Sequence, residues 1–280
     1  MNGERVSTMP GVLMVGVKLP TAPELLLKIR TLGTPGIAFV AILAVWQAVS
    51  SFGLLSEGSF PSPLQCARGM KEILLNGKLF SYSVASLFRV TVGWYLAVVT
   101  AIPLGLLLGW TPSLHDAMNP VLQFLRPISP LAWIPLAMIW FGIGDPPAVF
   151  LIFLASFFPL VVATMGAAAN IKRIYIRAAR NIGLRGTAVL VRVVFPAALP
   201  SIIVSLRISL GIAWLVVVAA EMIAVKSGLG FLIIDSRNAL RLDLVVDGMI
   251  GIGLIGIVLD QGVRKLEQVS SMRWAIGQTR

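Results

Sequence analysis

The segment Ile174-Tyr-Ile-Arg-Ala-Ala-Arg-Asn-Ile-Gly-Leu-Arg-Gly186 is a short basic stretch in a chain that is otherwise strongly apolar. It contains three arginines and no acidic residue, and long apolar runs flank it. Residues 175–181 have the composition of a short helix. Gly183 can end that helix, because glycine accepts the positive φ of a helix C-cap. An amphipathic element between two membrane spans is suited to contact a partner in the cytoplasm.

The residues after this segment predict a second helix. Thr187 has a side chain that can cap a helix through about Val194. Pro196 and Pro200 are then expected to stop that helix and to begin the next span. The whole segment is therefore predicted to be a helix–turn–helix element, with its arginines in water and its aliphatic side chains packed below the membrane.

The composition is that of a polytopic membrane protein. The chain has 280 residues, of which 57% are hydrophobic and 12% charged, with a mean hydropathy of +0.90. Soluble domains carry about 25% charged residues. The net charge of +11 could suggest a nucleic-acid partner, but the basic residues lie in short loops, as the positive-inside rule predicts. We therefore expect no nucleic acid. The single Cys66 and the single His115 exclude an internal disulfide and a Cys/His metal site.

The predicted fold is all-α, with about six transmembrane helices and three regions along the chain. An N-terminal cytoplasmic or interfacial segment covers residues 1–34, the transmembrane domain covers 35–266, and a cytoplasmic tail covers 267–280. The basic loop lies at about 169–200. The spans are predicted at about 35–54, 84–110, 121–141, 148–168, 200–225 and 244–263. Three prolines, Pro127, Pro130 and Pro135, break the third span.

The distribution of lysine and arginine predicts the orientation. With both termini inside, fourteen of these residues lie in inner segments and six in outer loops. Cationic residues accumulate on the cytoplasmic side of inner-membrane proteins, so both termini are predicted to be cytoplasmic. The longest outer segment, residues 56–83, contains an amphipathic run at 67–75. This run is predicted to be a short interfacial helix.

The basic loop resembles the cytoplasmic motif of ATP-binding-cassette importer permeases. That motif reads Glu-Ala-Ala, three residues, Gly, nine residues, Ile, one residue and Leu-Pro. Four positions match, and three differ in this chain. The matches are Ala178, Ala179, Gly183 and Pro196. The departures are Arg177 in place of Glu, Val193 in place of Ile and Phe195 in place of Leu.

Further motifs resemble the nitrate, sulfonate, taurine and bicarbonate branch of these permeases, over about residues 46–266. They are Phe60-Pro-Ser-Pro, Ser86-Leu-Phe-Arg-Val-Thr-Val-Gly, Ile102-Pro-Leu-Gly, Pro130-Leu-Ala-Trp-Ile-Pro-Leu, Trp140-Phe-Gly-Ile-Gly and Ala219-Ala-Glu-Met. The resemblance implies a multi-pass permease of the bacterial inner membrane. It would import a small anion delivered by a solute-binding protein. Two copies in a homodimer, or two related chains, would enclose the pathway.

The resemblance also implies that the basic loop is a coupling helix, which docks on a separate ATPase subunit. The residues implied in coupling are Arg177, Ala178, Ala179, Arg180, Gly183 and Pro196. This chain has no phosphate-binding loop, no ATPase signature and no catalytic constellation, so we expect no enzymatic activity and no cofactor on it. ATP and Mg²⁺ are expected on the partner ATPase.

Charged and broken positions within the spans are the candidate pathway residues, because polar groups in a membrane are costly and often functional. The candidates are Arg89, Arg126, Pro130, Trp133, Arg207 and Glu221. Each also has a structural interpretation. Arg207 can extend to the membrane surface, Glu221 can pair with a neighbouring span, Arg89 can anchor at an interface, and the prolines can make a packing kink.

One alternative function remains open from the sequence. An ion-gradient-driven secondary transporter or a channel would also have several spans. It predicts acidic relay residues in several of them and no docking element. Glu221 is the one clear acidic candidate, whereas a docking element is predicted, so the sequence favours the ATP-driven importer.

Overall fold

The computed structural model describes residues 22–51 and 60–267, with side chains from residue 36 to 265. Throughout these residues the protein is helical, with no β-strand. The helices are α1 (Ala22–Ser51), α2 (Pro63–Leu75), α3 (Lys78–Trp110), α4 (Pro112–Leu125), a 3₁₀ turn (Pro130–Trp133), α5 (Ile134–Phe141), α6 (Asp145–Ala169), α7 (Arg173–Asn181), α8 (Thr187–Val189), a π turn (Leu190–Val194), α9 (Phe195–Ala224), α10 (Leu229–Asn238) and α11 (Leu242–Glu267).

The chain divides into two compact units, Met1–Leu54 and Leu55–Arg280. Helix α1 is the described part of the first unit. Its described apolar portion, Gly36–Ser51, is shorter than a full span. The first predicted span, about 35–54, coincides with this portion, and its predicted end lies outside the described residues.

In the second unit, four continuous helices are long and apolar enough to cross a membrane. They are Lys78–Trp110, Asp145–Ala169, Thr187–Ala224 and Leu242–Lys265. The pair Pro112–Leu125 and Pro130–Phe141 makes a fifth if it counts as one span, and this pair is bent by 83°. The predicted break in the third span is thus confirmed. The predicted start of that span was wrong, because α4 begins at Pro112 and not near residue 121.

Helix α3 packs closely along α6, and small residues make this possible. A Cβ atom added at Gly93, Gly105 or Gly109 would overlap α6. At Gly93, for example, the added Cβ would lie 2.8 Å from the carbonyl oxygen of Val149. The glycines therefore let the two backbones approach, which is how membrane helices associate without a hydrophobic driving force. Gly105 and Gly109 lie four residues apart and so place two of these close contacts one helical turn apart.

Helix α2 confirms the helix predicted over residues 67–75, with an earlier start at Pro63, and its place at the membrane interface stays a prediction. Ser62 and Gln65 form a reciprocal capping box, in which each side chain accepts a hydrogen bond from the other residue's backbone N–H. Two of the otherwise unpaired donors at the helix start are satisfied in this way. Cys66 and Ile73 are the apolar contacts that α2 buries.

The second helix of the basic loop differs from the prediction at both ends. Gly186 and not Thr187 occupies the N-cap position, and no side chain caps the helix. The helix does not stop at the prolines, because it runs on from Thr187 to Ala224. The π turn before Pro196 explains this continuity. Its wider loop relieves the clash between a proline ring and the carbonyl of the preceding turn.

Candidate functional site

The basic loop folds as a helix with a glycine C-cap. Helix α7 ends at Asn181, and Gly183 has φ +89°. The Gly183 N–H donates to Arg180 O at 3.0 Å and the Leu184 N–H donates to Ala179 O at 3.0 Å. This pair of bonds is a Schellman motif, which satisfies the last carbonyls of a helix. The predicted role of Gly183 as the C-cap residue is therefore confirmed.

The loop is held against the membrane helices by an apolar core. Ala179, Val189 and Val194 are buried together with Ala168 of α6 and Ile202 of α9. These contacts connect α7 to the end of α6 and to the first part of α9. A displacement of α7 would therefore be transmitted to α6 and α9, which is the mechanical requirement for a coupling element.

Helix α7 has two exposed flanks of different chemistry. Residues on a helix are separated by about 100° of rotation. Ile174, Ala178 and Ile182 therefore share one flank, and Ile174 and Ile182 are 67% and 79% exposed. The opposite flank carries exposed arginines, which are Arg173, Arg177 and Arg180. Pro196, the last of the predicted coupling residues, lies apart from α7 at the start of α9 and is exposed.

A buried polar network joins α3 to the start of α6, the end of α9 and the start of α10. Arg89 and Glu221 are 2% and 0% exposed. Arg89 Nη1 donates to Glu221 Oε1 at 2.6 Å and Arg89 Nε donates to Asp145 Oδ1 at 2.8 Å. The remaining guanidinium donors bond the backbone carbonyl and the hydroxyl of Ser227. The guanidinium thus directs its donors to two carboxylates and one serine.

The second Glu221 oxygen is also satisfied. Oε2 accepts from Ser86 Oγ at 2.8 Å and from the Gly230 N–H at 2.9 Å, and Ser86 Oγ itself accepts from the Leu229 N–H at 2.9 Å. A Cβ at Gly228, where φ is +105°, would overlap the Glu221 carboxylate. Gly228 therefore lets the backbone that leads into α10 pass directly beside the buried charge.

The other predicted pathway residues lie elsewhere. Arg207 pairs with Asp260 of α11 through two bonds of 2.8 and 2.9 Å, and this pair is partly exposed. Arg126 is exposed at the end of α4. Pro130 and Trp133 are half-buried in the 3₁₀ turn of the bent span. The structure thus brings Arg89 and Glu221 together and separates them from Arg207, Arg126 and the 3₁₀ turn.

Several residues of these polar contacts escaped the sequence analysis. Ser86, Ser227, Asp145 and Asp260 were not among the candidate residues. Ser86 could have been found, because it precedes Arg89 by three residues and so shares its helix face. The pairing of Asp145 with Arg89 and of Asp260 with Arg207 joins distant parts of the chain, and no local signal shows it.

Comparison with known proteins identifies this architecture. Residues 101–268 match the family model described as binding-protein-dependent transport system inner membrane component. The chain belongs to this family. It is a multi-pass inner-membrane permease subunit of ATP-binding-cassette importers, as the basic loop predicted.

Individual relatives agree with the family. This permease is 34% identical over 254 residues to the taurine transport system permease protein of Escherichia coli (strain K12), covering 89% of this chain and 90% of the relative. It is 35% identical over 245 residues to a nitrate import permease protein of Synechocystis sp. (strain ATCC 27184 / PCC 6803 / Kazusa), covering 84% and 88%.

A solved structure shows the same fold. The permease resembles a chain of the MetNI methionine ABC transporter in an inward facing conformation, with a TM-score of 0.53 and 20% identity. The match covers 64% of this permease and 92% of that chain. This likeness confirms the all-α prediction, and the family match and the two relatives confirm the prediction of an importer permease.

Proposed function

We propose that this permease forms the translocation pathway for a small oxyanion of the nitrate or sulfonate type. A solute-binding protein delivers the anion, and a second copy of the permease completes the pathway. Separate ATPase subunits, which bind ATP and Mg²⁺, drive the cycle. The names of the two relatives support the solute class, and the family description supports the binding protein.

The observation that carries the proposal is the exposed apolar flank of α7. Ile174 and Ile182 lie in water-facing positions although α7 is packed on its other side by Ala179 and Leu184. Exposed aliphatic residues beside a packed core are typical of a protein interface. We assign this flank to the ATPase contact, together with Ala178 and with Gly183, whose C-cap sets the direction of the chain.

Coupling requires that the ATPase bind two conformations of the permease with different free energies. The apolar core beneath α7 provides a mechanical connection, because Ala179 packs with Ala168 and Ile202. ATP-driven closure of the ATPase subunits would move α7 and, through these contacts, the ends of α6 and α9. Alternate opening of the pathway to the two sides follows from that movement.

Of the predicted pathway residues, Arg126, Pro130, Trp133 and Arg207 suit a route better than the buried pair does. Bent spans and partly exposed charges are tolerated where they face protein or a water-filled cavity. Arg89 and Glu221 are fully engaged with each other and with Asp145 and Ser227. We therefore assign Arg89 and Glu221 to holding the ends of the surrounding helices in place.

Transport by the reconstituted assembly tests the function. The permease, its ATPase subunits and its binding protein are placed in vesicles, and uptake of labelled nitrate and of labelled taurine is measured. We expect uptake of one of these anions that requires ATP and the binding protein. Uptake driven equally well by an ion gradient without ATP would instead support the secondary-transporter alternative.

Docking is tested separately with Ile182→Ser and Ile174→Ser. Both should reduce co-purification of the ATPase subunits, because each removes apolar area from the proposed contact. Val191→Ser is the matched control, since Val191 is similarly exposed, at 63%, but lies on the π turn. If the control weakens co-purification as much as the α7 variants do, the apolar flank of α7 is not the contact.

A further inference from the structure

The arginine flank of α7 lines a cleft that the proposed ATPase contact does not use. The cleft has a volume of about 680 Å³ and lies between α7, the end of α6 and the turn from α3 into α4. Arg173, Arg177 and Arg180 form its basic wall, and Trp110, Pro112 and Ala168 lie on the other walls. Ile174 and Ile182 do not line it.

The three arginines have no counter-charge among the described side chains, residues 36–51 and 60–265. No acidic side chain in these ranges pairs with any of them. The sequence contains no Asp or Glu between Asp145 and Glu221. Three guanidinium groups on one arc of about 60° of a helix repel one another, and an anion from outside the chain would relieve that repulsion. Guanidinium groups match the planar, bidentate geometry of phosphate oxygens particularly well.

The opposite wall also favours an anion. Helix α4 begins at Pro112, and no side chain caps it at Thr111. Thr111 and Pro112 both line the cleft. The Thr111 N–H donates to Leu107 O at 3.1 Å, and proline has no N–H, so this wall offers no free backbone donor. It contributes the positive end of the α4 helix dipole, which adds to the charge of the arginines.

The depth of the cleft indicates where the anion comes from. The spans α3 and α6 end at Trp110 and Ala169, and both residues line the cleft. The cleft therefore opens where the apolar parts of these spans stop, which is the level of the lipid headgroups. Basic pockets at this level between membrane helices bind phosphate-bearing headgroups.

We propose that this cleft binds a phosphate-type oxyanion, held by Arg173, Arg177 and Arg180 and presented by an anionic lipid headgroup or free in solution. The site is distinct from the apolar docking flank of α7. It also explains the departure at Arg177, where the family usually has Glu. Because Arg177 faces the cleft and not the docking flank, its positive charge does not require an altered ATPase surface. An occupied cleft would hold α7 in position against α4 and α6.

The test uses the full-length permease co-purified with its ATPase subunits in a neutral detergent. Retained lipid is counted by native mass spectrometry after titration with dioleoylphosphatidylglycerol or, separately, with dioleoylphosphatidylcholine. A second arm measures binding of inorganic phosphate by calorimetry against a chloride control. The cleft variant carries Arg173→Gln, Arg177→Gln and Arg180→Gln. The matched control carries Lys172→Gln, Arg185→Gln and Arg192→Gln, which removes the same charge from exposed positions outside the cleft.

We expect tight binding of phosphatidylglycerol or of phosphate by the unmodified assembly. The cleft variant should bind on the order of 100-fold more weakly, and the control variant about as tightly as the unmodified assembly. Binding of lipid alone identifies a headgroup as the source, and binding of phosphate identifies a free anion. If the cleft variant does not assemble, Arg177→Gln alone should weaken binding about fivefold.

Three results would overturn the proposal. The first is that the unmodified assembly binds neither phosphatidylglycerol nor phosphate. The second is that the cleft and control variants weaken binding equally, which would make net charge the cause. The third is loss of the ATPase subunits from the cleft variant with lipid binding unchanged, which would assign the arginines to acidic groups of the ATPase. None of these results depends on which anion the permease transports.

Discussion

Arg89 illustrates how a buried charge is made acceptable in an apolar protein. Its guanidinium is 2% exposed and meets the carboxylates of Glu221 and Asp145 and both polar groups of Ser227. Removing a charge from water costs several kcal/mol, and the cost is recovered only if every donor and acceptor is paired. The Ser86 hydroxyl and the Gly230 N–H complete that pairing on the Glu221 side.

Replacing Glu221 with Leu should therefore destabilise the permease strongly. The change leaves the Ser86 hydroxyl and the Gly230 N–H without their acceptor and removes one of the two carboxylates that neutralise Arg89. We expect a loss of about 3–5 kcal/mol in the free energy of unfolding, measured by SDS titration of the purified chain. Asp260→Asn is the control, since it breaks a partly exposed pair and should change stability little. A Glu221→Leu chain as stable as the original would show that the network contributes nothing net.

Cys66 should be almost unreactive in the folded protein. Burial, and secondarily the nearby carboxylates of Asp247 and Asp243, raise the pKa of the Cys66 thiol to about 11. Because the thiolate is the nucleophile, roughly one thiol in a thousand is reactive at pH 8. Alkylation by iodoacetamide, measured as the mass increase of the protein by mass spectrometry, should be negligible at pH 8 and should increase as the pH approaches 11. Chain unfolded in SDS should be labelled readily at pH 8, and rapid labelling of the folded chain there would contradict the burial of Cys66.

At the scale of elements, the loop from α7 to α9 combines two unusual backbone features. A Schellman motif at Gly183 ends α7, and a π turn joins α8 to α9 without a break. The Schellman motif sets the direction in which the chain leaves α7. The π turn lets the helix continue through Pro196. Between them, Val189 and Val194 anchor the loop in the core. The contact surface of α7 is thus presented on a rigid support.

Gly183→Val should uncouple the ATPase from the permease. Nothing lies within 4 Å of a Cβ at Gly183, so the effect comes from the backbone alone. A left-handed conformation costs a residue with a Cβ roughly 1–2 kcal/mol, and a β-branched residue tolerates it least. We expect reduced co-purification of the ATPase subunits and reduced ATP-dependent uptake.

Gly183→Asn is the matched control for this change, because asparagine accepts the left-handed region more readily than other residues with a side chain. It should retain most of the coupling. If valine and asparagine behave alike and both match the original protein, the Gly183 conformation does not control docking.

At the scale of the whole molecule, the polar network and the basic loop lie at opposite ends of the long helices. Glu221 and Asp145 lie near the end of α9 and the start of α6, whereas the α7 loop follows the end of α6 and precedes the start of α9. One end of the bundle is thus joined by buried charges, and the other presents the exposed arginines and the apolar flank that we propose for docking.

The predicted orientation can be measured with two introduced cysteines. Lys226→Cys lies beside the polar network, and Arg185→Cys lies in the basic loop, and both positions are exposed. A membrane-impermeant maleimide applied to intact cells should label Lys226→Cys and leave Arg185→Cys unlabelled until the membrane is opened. The buried Cys66 should add little background. Labelling of Arg185→Cys in intact cells would reverse the orientation and contradict an ATPase contact at α7.

The family of this permease and the position of its basic loop follow from the sequence alone. Spans of apolar residues, a proline-rich break and a glycine at the end of a short basic helix are local features, because each depends on neighbours within a few turns. For this reason the predictions for α3, α6 and Gly183 are confirmed. The helix that continues through Pro196 was missed, since a π turn has no simple sequence signature.

The partners of the buried and exposed charges are decided only by the tertiary structure. Arg89 meets Glu221 across 132 positions of sequence and Asp145 across 56 positions, so no periodicity can indicate either pair. The separation of α7 into an apolar flank and an arginine-lined cleft likewise requires that α4 and α6 be placed beside it. The sequence specifies which side chains each helix carries. Close packing of helices that are distant in sequence decides what each side chain faces.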